Sequence, residues 1–178
     1  LYKKMEEVFC LSLRNNLFDH IGLIELTTSS FIKNLKSLNL KDNYIGDKGA
    51  ILLSESKPLS NLQSLNLENI GLTSTGILAL SQSPYLQNLQ ELNLSGNQLK
   101  GEGFLSIANS ENFKNLKVLK LSGTSMGDQA FQSIMNSRSL NQLEQLEVAG
   151  NSISINGLLQ PSKSPLLHHL RKLDLRRN

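Results

Sequence analysis

Residues 35–50 read Leu35-Lys-Ser-Leu38-Asn-Leu40-Lys-Asp-Asn43-Tyr-Ile45-Gly46-Asp47-Lys-Gly49-Ala50, and these slots refill each time the frame moves by 27 residues. One step forward places Leu62, Leu65, Leu67, Leu72 and Gly76 in them. Further steps place Leu89, Leu92, Leu94, Asn97, Leu99 and Gly103, then Leu116, Leu119, Leu121, Met126 and Ala130, then Leu143, Leu146, Val148, Asn151, Ile153 and Gly157. Leu170, Leu173, Leu175 and Asn178 open a last copy, and one step back gives Val8, Leu11, Leu13, Asn16, Phe18 and Gly22. No insertion or deletion breaks the frame across copies starting near 8, 35, 62, 89, 116, 143 and 170. A fixed period of this size means a solenoid. A single copy buries too few side chains to offset the ordering of its own backbone, so neighbouring copies must share one core.

Within each copy the flanking leucines alternate with polar residues, the period-two pattern of a strand with one buried face. Short strands are expected around Cys10–Ser12, Ser37–Asn39, Ser64–Asn66, Glu91–Asn93, Val118–Lys120, Gln145–Glu147 and Lys172–Asp174. Ile45, Leu72, Leu99, Met126 and Ile153 then turn the chain over the core, and a helix follows. Asp47, Ser74 and Asp128 are placed as its N-caps, and pairs three apart face inward: Leu23/Leu26, Ala50/Leu53, Ile77/Leu80, Phe104/Ile107 and Phe131/Ile134. The sixth copy has Pro161 in the second of these slots and Pro165 soon after, which predicts a short or irregular convex segment there. Strands stacked in register on the inside and bulkier helices outside make the stack bend. The fold class expected is α/β: a right-handed solenoid shaped as a horseshoe, with a parallel β-sheet on the concave face and helices on the convex face.

Three further columns carry information. Gly22, Gly49, Gly76, Gly103 and Gly157 share a slot with Ala130; since alanine resists positive φ, the column points to close packing. Ser29, Ser56, Ser83, Ser110, Ser137 and Ser164 are expected to end the helices by bonding local backbone. Asn16, Asn43, Asn97, Asn151 and Asn178 form an internal ladder, because an amide both donates and accepts where a buried turn leaves backbone groups unpaired. Ile70 and Thr124 interrupt that ladder, and their turns are expected to be looser or water-filled.

The apolar fraction of 39% is modest because each coil has a narrow interior and two solvated faces. The formal charge of +3 is unevenly placed: Lys163, Arg171, Lys172, Arg176 and Arg177 against Asp174 leave +4 in the last sixteen residues. Such a tail reads as a solvated end, and neither nucleic-acid nor membrane binding is expected from it. Cys10 is the single cysteine, so no intrachain disulfide can form and a reducing, cytoplasmic setting is expected. No apolar run approaches membrane length, and residues 1–10 have no signal-peptide core. Met5 falls in the slot of Ile32, Leu59, Leu86, Phe113, Leu140 and Leu167. Residues 1–7 therefore read as the tail of an earlier copy, and 1–178 as a single repeat domain cut from a longer array.

The pattern L-x-x-L-x-L-x-x-N, the period of 27 residues and the tail N-x-I-G-D-x-G-A at Asn43–Ala50 resemble the ribonuclease-inhibitor-like class of leucine-rich repeats. The resemblance spans essentially the whole chain. It implies an intracellular α/β solenoid that binds other proteins, the class including ribonuclease inhibitor, a Ran GTPase-activating protein, NOD-type immune receptors and effectors that bacteria deliver into a host cytosol. The chain departs from ribonuclease inhibitor in being cysteine-poor, free of tryptophan and uniform in period.

Partner binding is assigned to the concave columns: Ser37, Asn39, Lys41, Ser64, Asn66, Glu68, Glu91, Asn93, Lys120, Gln145, Glu147, Lys172, Asp174 and Arg176. Their middle is small, with Ser95, Gly96, Ser122, Gly123, Ala149 and Gly150, and no aromatic anchor lies among them. Catalysis is not expected: Glu68, Glu91, Glu147 and Asp174 lie singly on separate repeats. Nor is a metal or cofactor, because His168 and His169 diverge, His20 is remote, and Gly101-Glu-Gly103 lacks the lysine of a phosphate loop. The function expected is a protein-interaction module. The alternatives are a GTPase-activating regulator of the Ran-directed type, and a spacer or self-associating segment of a larger receptor or effector.

Overall fold

The computed structural model describes residues 8–159 and 164–178. The readings placed on residues 1–7 and on Pro161 and Lys163 lie outside them.

Seven three-residue strands form one parallel sheet in chain order. They are β1 (Cys10–Ser12), β2 (Ser37–Asn39), β3 (Ser64–Asn66), β4 (Glu91–Asn93), β5 (Val118–Lys120), β6 (Gln145–Glu147) and β7 (Lys172–Asp174), each where the leucine alternation placed it. Register follows the repeat: Leu11 lies beside Leu38, Leu38 beside Leu65, and so on to Leu146 beside Leu173. Helices α1 (His20–Thr28), α2 (Gly46–Glu55), α3 (Ser74–Ser81), α4 (Gly101–Ala108), α5 (Gly127–Met135) and α6 (Ile155–Leu159) alternate with the strands. Short 3-10 turns such as Lys57–Asn61 lead back to the sheet.

Between the layers runs one continuous apolar core, and each inward pair expected from α1 to α5 is buried in it. One slot slips. In the last coil Leu166 is fully buried and Leu167, the residue in frame, is 42% exposed. There the amides of both His169 and Leu170 bond the Leu166 carbonyl, winding the turn one residue differently from its predecessors.

The asparagine ladder is a set of bonds between coils. Asn97 Oδ1 accepts from the amides of Ile70 (3.1 Å) and Leu72 (3.0 Å), while its Nδ2 donates to the carbonyls of Leu67 (2.8 Å) and Leu94 (2.8 Å). Asn43 and Asn151 repeat the pattern. The interruptions are closed rather than loose. Ile70 is 1% exposed and Thr124 0%, and the Thr124 hydroxyl donates to Leu121 O at 2.7 Å. A branched aliphatic side chain and a self-satisfied hydroxyl fill the turn as well as an amide does.

Two sequence readings need correction, both because the bonds run between coils rather than within one. Ser56 Oγ donates to Thr27 O (2.7 Å), Ser110 Oγ to Ser81 O (2.7 Å), Ser137 Oγ to Ala108 O (2.5 Å) and Ser164 Oγ to Met135 O. Each serine therefore completes the C-terminal end of the preceding helix, although several also accept locally, as Ser83 does from Tyr85 N at 3.2 Å. The N-cap assignments shift likewise. Asp47 lies inside the first turn of α2 and accepts from Thr73 N (2.8 Å), Thr73 Oγ1 (2.6 Å) and Gly76 N (3.1 Å) at the start of α3. Asp128 does the same for Ser154 N and Oγ, both at 2.6 Å, and Ser74 for Lys100 N at 3.2 Å. A first-turn carboxylate so placed meets unpaired amides at the N-terminus of the next helix, which favours it electrostatically. Side-chain caps of the local kind occur one residue earlier at Asp19, whose carboxylate accepts from Ile21 N and Gly22 N at 3.0 Å, and at Thr73, whereas Ile45 and Met126 open α2 and α5 without one.

This contact explains part of the glycine column, while a Cβ on Gly22 would lie 2.8 Å from the Phe18 ring and one on Gly49 2.7 Å from Ile45 Cβ. A Cβ on Gly76 would lie 2.6 Å from Asp47 Oδ1 and 3.0 Å from Ala50 Cβ, and one on Gly157 would lie 2.5 Å from Asp128 Oδ1. None of the column's glycines has positive φ. Ala130 is tolerated because the preceding coil has Gly101, without a side chain, where Asp47, Ser74 and Asp128 stand in others.

Gly76→Ala is expected to cost about 1–3 kcal/mol in chemical denaturation, through overpacking and the displaced Asp47 carboxylate. Gly101→Ala, whose Cβ would meet nothing within 4 Å, is expected to be neutral or to stabilise by up to about 1 kcal/mol. Asn97→Ala strands four buried main-chain groups and should cost about 3 kcal/mol or more in the same assay.

Candidate protein-binding face

The outer residues of the seven strands, and those two positions past each strand end, form one polar surface. Parallel pairing sets adjacent strands about 4.8 Å apart, so side chains 27 residues apart stand next to each other. The sequence-predicted site residues gather here into three linked groups. Lys41 Nζ meets Glu68 Oε1 at 2.7 Å, and Glu68 Oε2 accepts from Asn93 Nδ2 at 3.0 Å. Ser64 Oγ donates to Glu91 Oε2 at 3.2 Å, and Glu91 Oε1 lies 3.7 Å from Lys120 Nζ. Glu147 Oε1 accepts from Gln145 Nε2 (2.7 Å) and Lys172 Nζ (2.9 Å). At the sheet's end Arg176 Nη2 contacts Asp174 Oδ2 at 2.6 Å.

The electrostatics link these groups. Burial pushes the Glu147 carboxyl up, but the hydrogen bond from Lys172, the charge of Lys120 and the bond from Gln145 together hold it below its usual value. Asp174 is held down to about 2 by hydrogen bonds from the Arg176 side chain and amide. Arg176 is raised in turn by the same carboxylate.

Several residues of the set also have a backbone task that the sequence did not reveal. Asn39, Asn66, Asn93 and Asp174 each accept, through Oδ1, the amide two residues on: Lys41 N, Glu68 N and Ser95 N at 3.0 Å and Arg176 N at 3.1 Å. Each thereby caps the end of its strand, and the second polar atoms of Asn93 and Asp174 are taken by Glu68 and Arg176. Ser37 stands between Cys10 and Ser64 in the register, and Cys10 is an exposed thiol. Between the charged groups, Ser95 Oγ accepts from Ser122 N at 3.2 Å, and Gly96, Gly123 and Gly150 have positive φ in the turns that leave the strands.

One feature was missed. Tyr44 and Leu17, both 74% exposed, sit side by side where the chain leaves β2 and β1, joined by the bridge between Asp19 and Tyr44. The strand columns hold no aromatic; Tyr44 and Phe9, which is exposed immediately before β1, are the exposed rings beside the first strands. The Tyr44 slot holds Leu17, Tyr44, Gly71, Gln98, Ser125 and Ser152, with no periodic signal to mark it.

Residues 32–54 and 85–108 each match a family model described as Leucine Rich repeat. No curated protein matches the chain. The fold is thus a leucine-rich-repeat solenoid. Leucine-rich repeats are generally protein–protein interaction modules and typically non-enzymatic scaffolds. Among the described residues no three His, Cys, Asp or Glu side chains gather as a metal site, and no helix is long and apolar enough to cross a membrane.

The Asp174 carboxyl should titrate near about 2 by NMR, and in Arg176→Ala its midpoint should rise toward 3.8. Because the folded-state value is depressed, whatever stability the group contributes is present above pH 3.8 and is lost as pH falls through about 2. Arg176→Ala should flatten that part of the acid limb.

Proposed function

We propose that the chain binds a protein partner on its sheet face. Lys41, Glu68, Asn93, Glu91, Lys120, Glu147 and Lys172 supply the central contacts, and Ser37, Asn39, Ser64, Asn66, Gln145, Asp174 and Arg176 surround them. The observation that carries this reading is that charged side chains along the face are already held by one another. A partner therefore meets them with much of their rotamer freedom already spent, which lowers the cost of ordering them on binding. The alternation of signs, with Lys41 beside Glu68 and Lys120 between Glu91 and Glu147, favours a partner surface that is itself a mosaic of both charges. Tyr44 and Leu17 add an apolar edge of the kind on which interface energy concentrates.

The double variant Lys120→Glu/Glu147→Lys keeps net charge constant while inverting the pattern. A partner recovered with the parent chain is expected to bind it about tenfold or more weakly. The melting temperature should move only a few degrees, because exposed ion pairs contribute about 1 kcal/mol or less. Equal affinity for both proteins would remove the sheet face as the site. Tyr44→Ala should weaken the same complex by about 1–2 kcal/mol, read by titration calorimetry.

A further inference from the structure

On the edge where each coil returns from helix to strand, a second amide ladder ties coil to coil. Asn61 Nδ2 donates to Lys33 O (2.9 Å), Asn88 Nδ2 to Ser60 O (2.8 Å) and Asn115 Nδ2 to Gln87 O (2.9 Å). The next two positions of this column are Gln142 and His169. Neither side chain makes the corresponding bond, and at that point the edge opens into a cleft of about 490 Å³. Lys117, Gln142, Glu144, His168, His169 and Arg171 line it.

The lining is rich in donors and positive in balance. Lys117 is exposed and makes no ion pair with the described residues. Arg171 has one long contact, 3.4 Å from Nη1 to Glu144 Oε2, and its side chain is 81% exposed, so most of its five donors are unspent. Lys114 and Arg138 are exposed on the same edge. The carboxylates there are Glu111, which accepts from Ser139 Oγ at 3.1 Å, and Glu144. A guanidinium, an ammonium and two imidazoles around a recess suit oxyanions, because guanidinium can bond a carboxylate or phosphate in a fork and imidazole N–H groups can donate beside it.

We propose that this cleft docks an acidic peptide segment of a protein partner. Lys117 and Arg171 take its carboxylate or phosphate oxygens, and Gln142, His168 and His169 donate around them. The proposal rests on the reading that the chain binds protein but places a second contact on another surface, reached independently of the sheet face.

Fluorescence anisotropy with short labelled peptides tests it: one rich in Asp and Glu, the same sequence with phosphoserines, and a neutral Asn/Gln version. The two acidic peptides are expected to bind, with affinity falling as salt rises, and the neutral one is not. Tighter binding of the phosphopeptide assigns phosphate as the natural group, and equal binding assigns carboxylate. Gln142→Asn/His169→Asn should restore the ladder, close the cleft and weaken binding tenfold or more without lowering the melting temperature. Lys117→Glu/Arg171→Glu should abolish binding. The proposal is overturned if neither acidic peptide binds, or if both cleft variants bind as the parent does. It also falls if a single-stranded oligonucleotide or an anionic vesicle binds as well as the peptides and is lost in the same variants. Lys120→Glu/Glu147→Lys should leave peptide affinity unchanged, so failure here and failure of the sheet-face reading give different patterns.

Discussion

Every coil of this protein leaves polar main-chain groups buried that it cannot satisfy itself, and the next coil satisfies them. That requirement, more than the leucines, holds the period constant. A leucine can be replaced by valine, methionine or phenylalanine at modest cost, as Val148, Met126 and Phe104 show in the core. A one-residue insertion would move Asn97 away from the Ile70 and Leu72 amides and Ser110 away from Ser81 O together. Unpaired buried groups cost more than lost apolar contacts of similar size, so the frame tolerates substitution and resists a change in length.

The sheet face follows from the same constraint. Because strands stack at one fixed offset, a residue's neighbour on the face is always its counterpart one repeat away. Charge order along a column therefore becomes charge order in space, and Lys41 meets Glu68 for no other reason than sharing a slot. Lys120 lies diagonally from Glu91 and reaches it with a longer, looser contact. The result is a rigid ruler of side chains rather than a pocket.

Strand positions, core pairs and the columns of the face were legible in the sequence because alternation and a constant period determine them. The direction of bonding was not. Asp47, Ser74 and Asp128 look like caps of their own helices when read along the chain, and only stacking brings them to the next one. The serine column was visible as a column, but its carbonyl partners lie 29 residues away and carry no sequence signature. The slip from Leu167 to Leu166 and the exposure of Tyr44 depend on local winding, which the repeat pattern does not encode. For the face, opposite charges in one slot of adjacent repeats would have disclosed the Lys41–Glu68 pair. The Gln145–Glu147 contact depends on rotamers and would not have been found that way.

Most of the bonds between coils point one way. Asn43, Ser56 and Asn61 all reach back to the preceding coil, whereas Asp47, Ser74 and Asp128 reach forward. Truncation from the two ends is therefore inequivalent. Removing a coil from the C-terminal side strands main-chain groups that cannot turn away, whereas removing one from the N-terminal side frees amide and hydroxyl side chains that can swing into water. During synthesis the newest coil on the ribosome is therefore expected to hold unpaired main-chain groups until its successor stacks on it. The array thus matures one step behind translation, in the direction in which it is made.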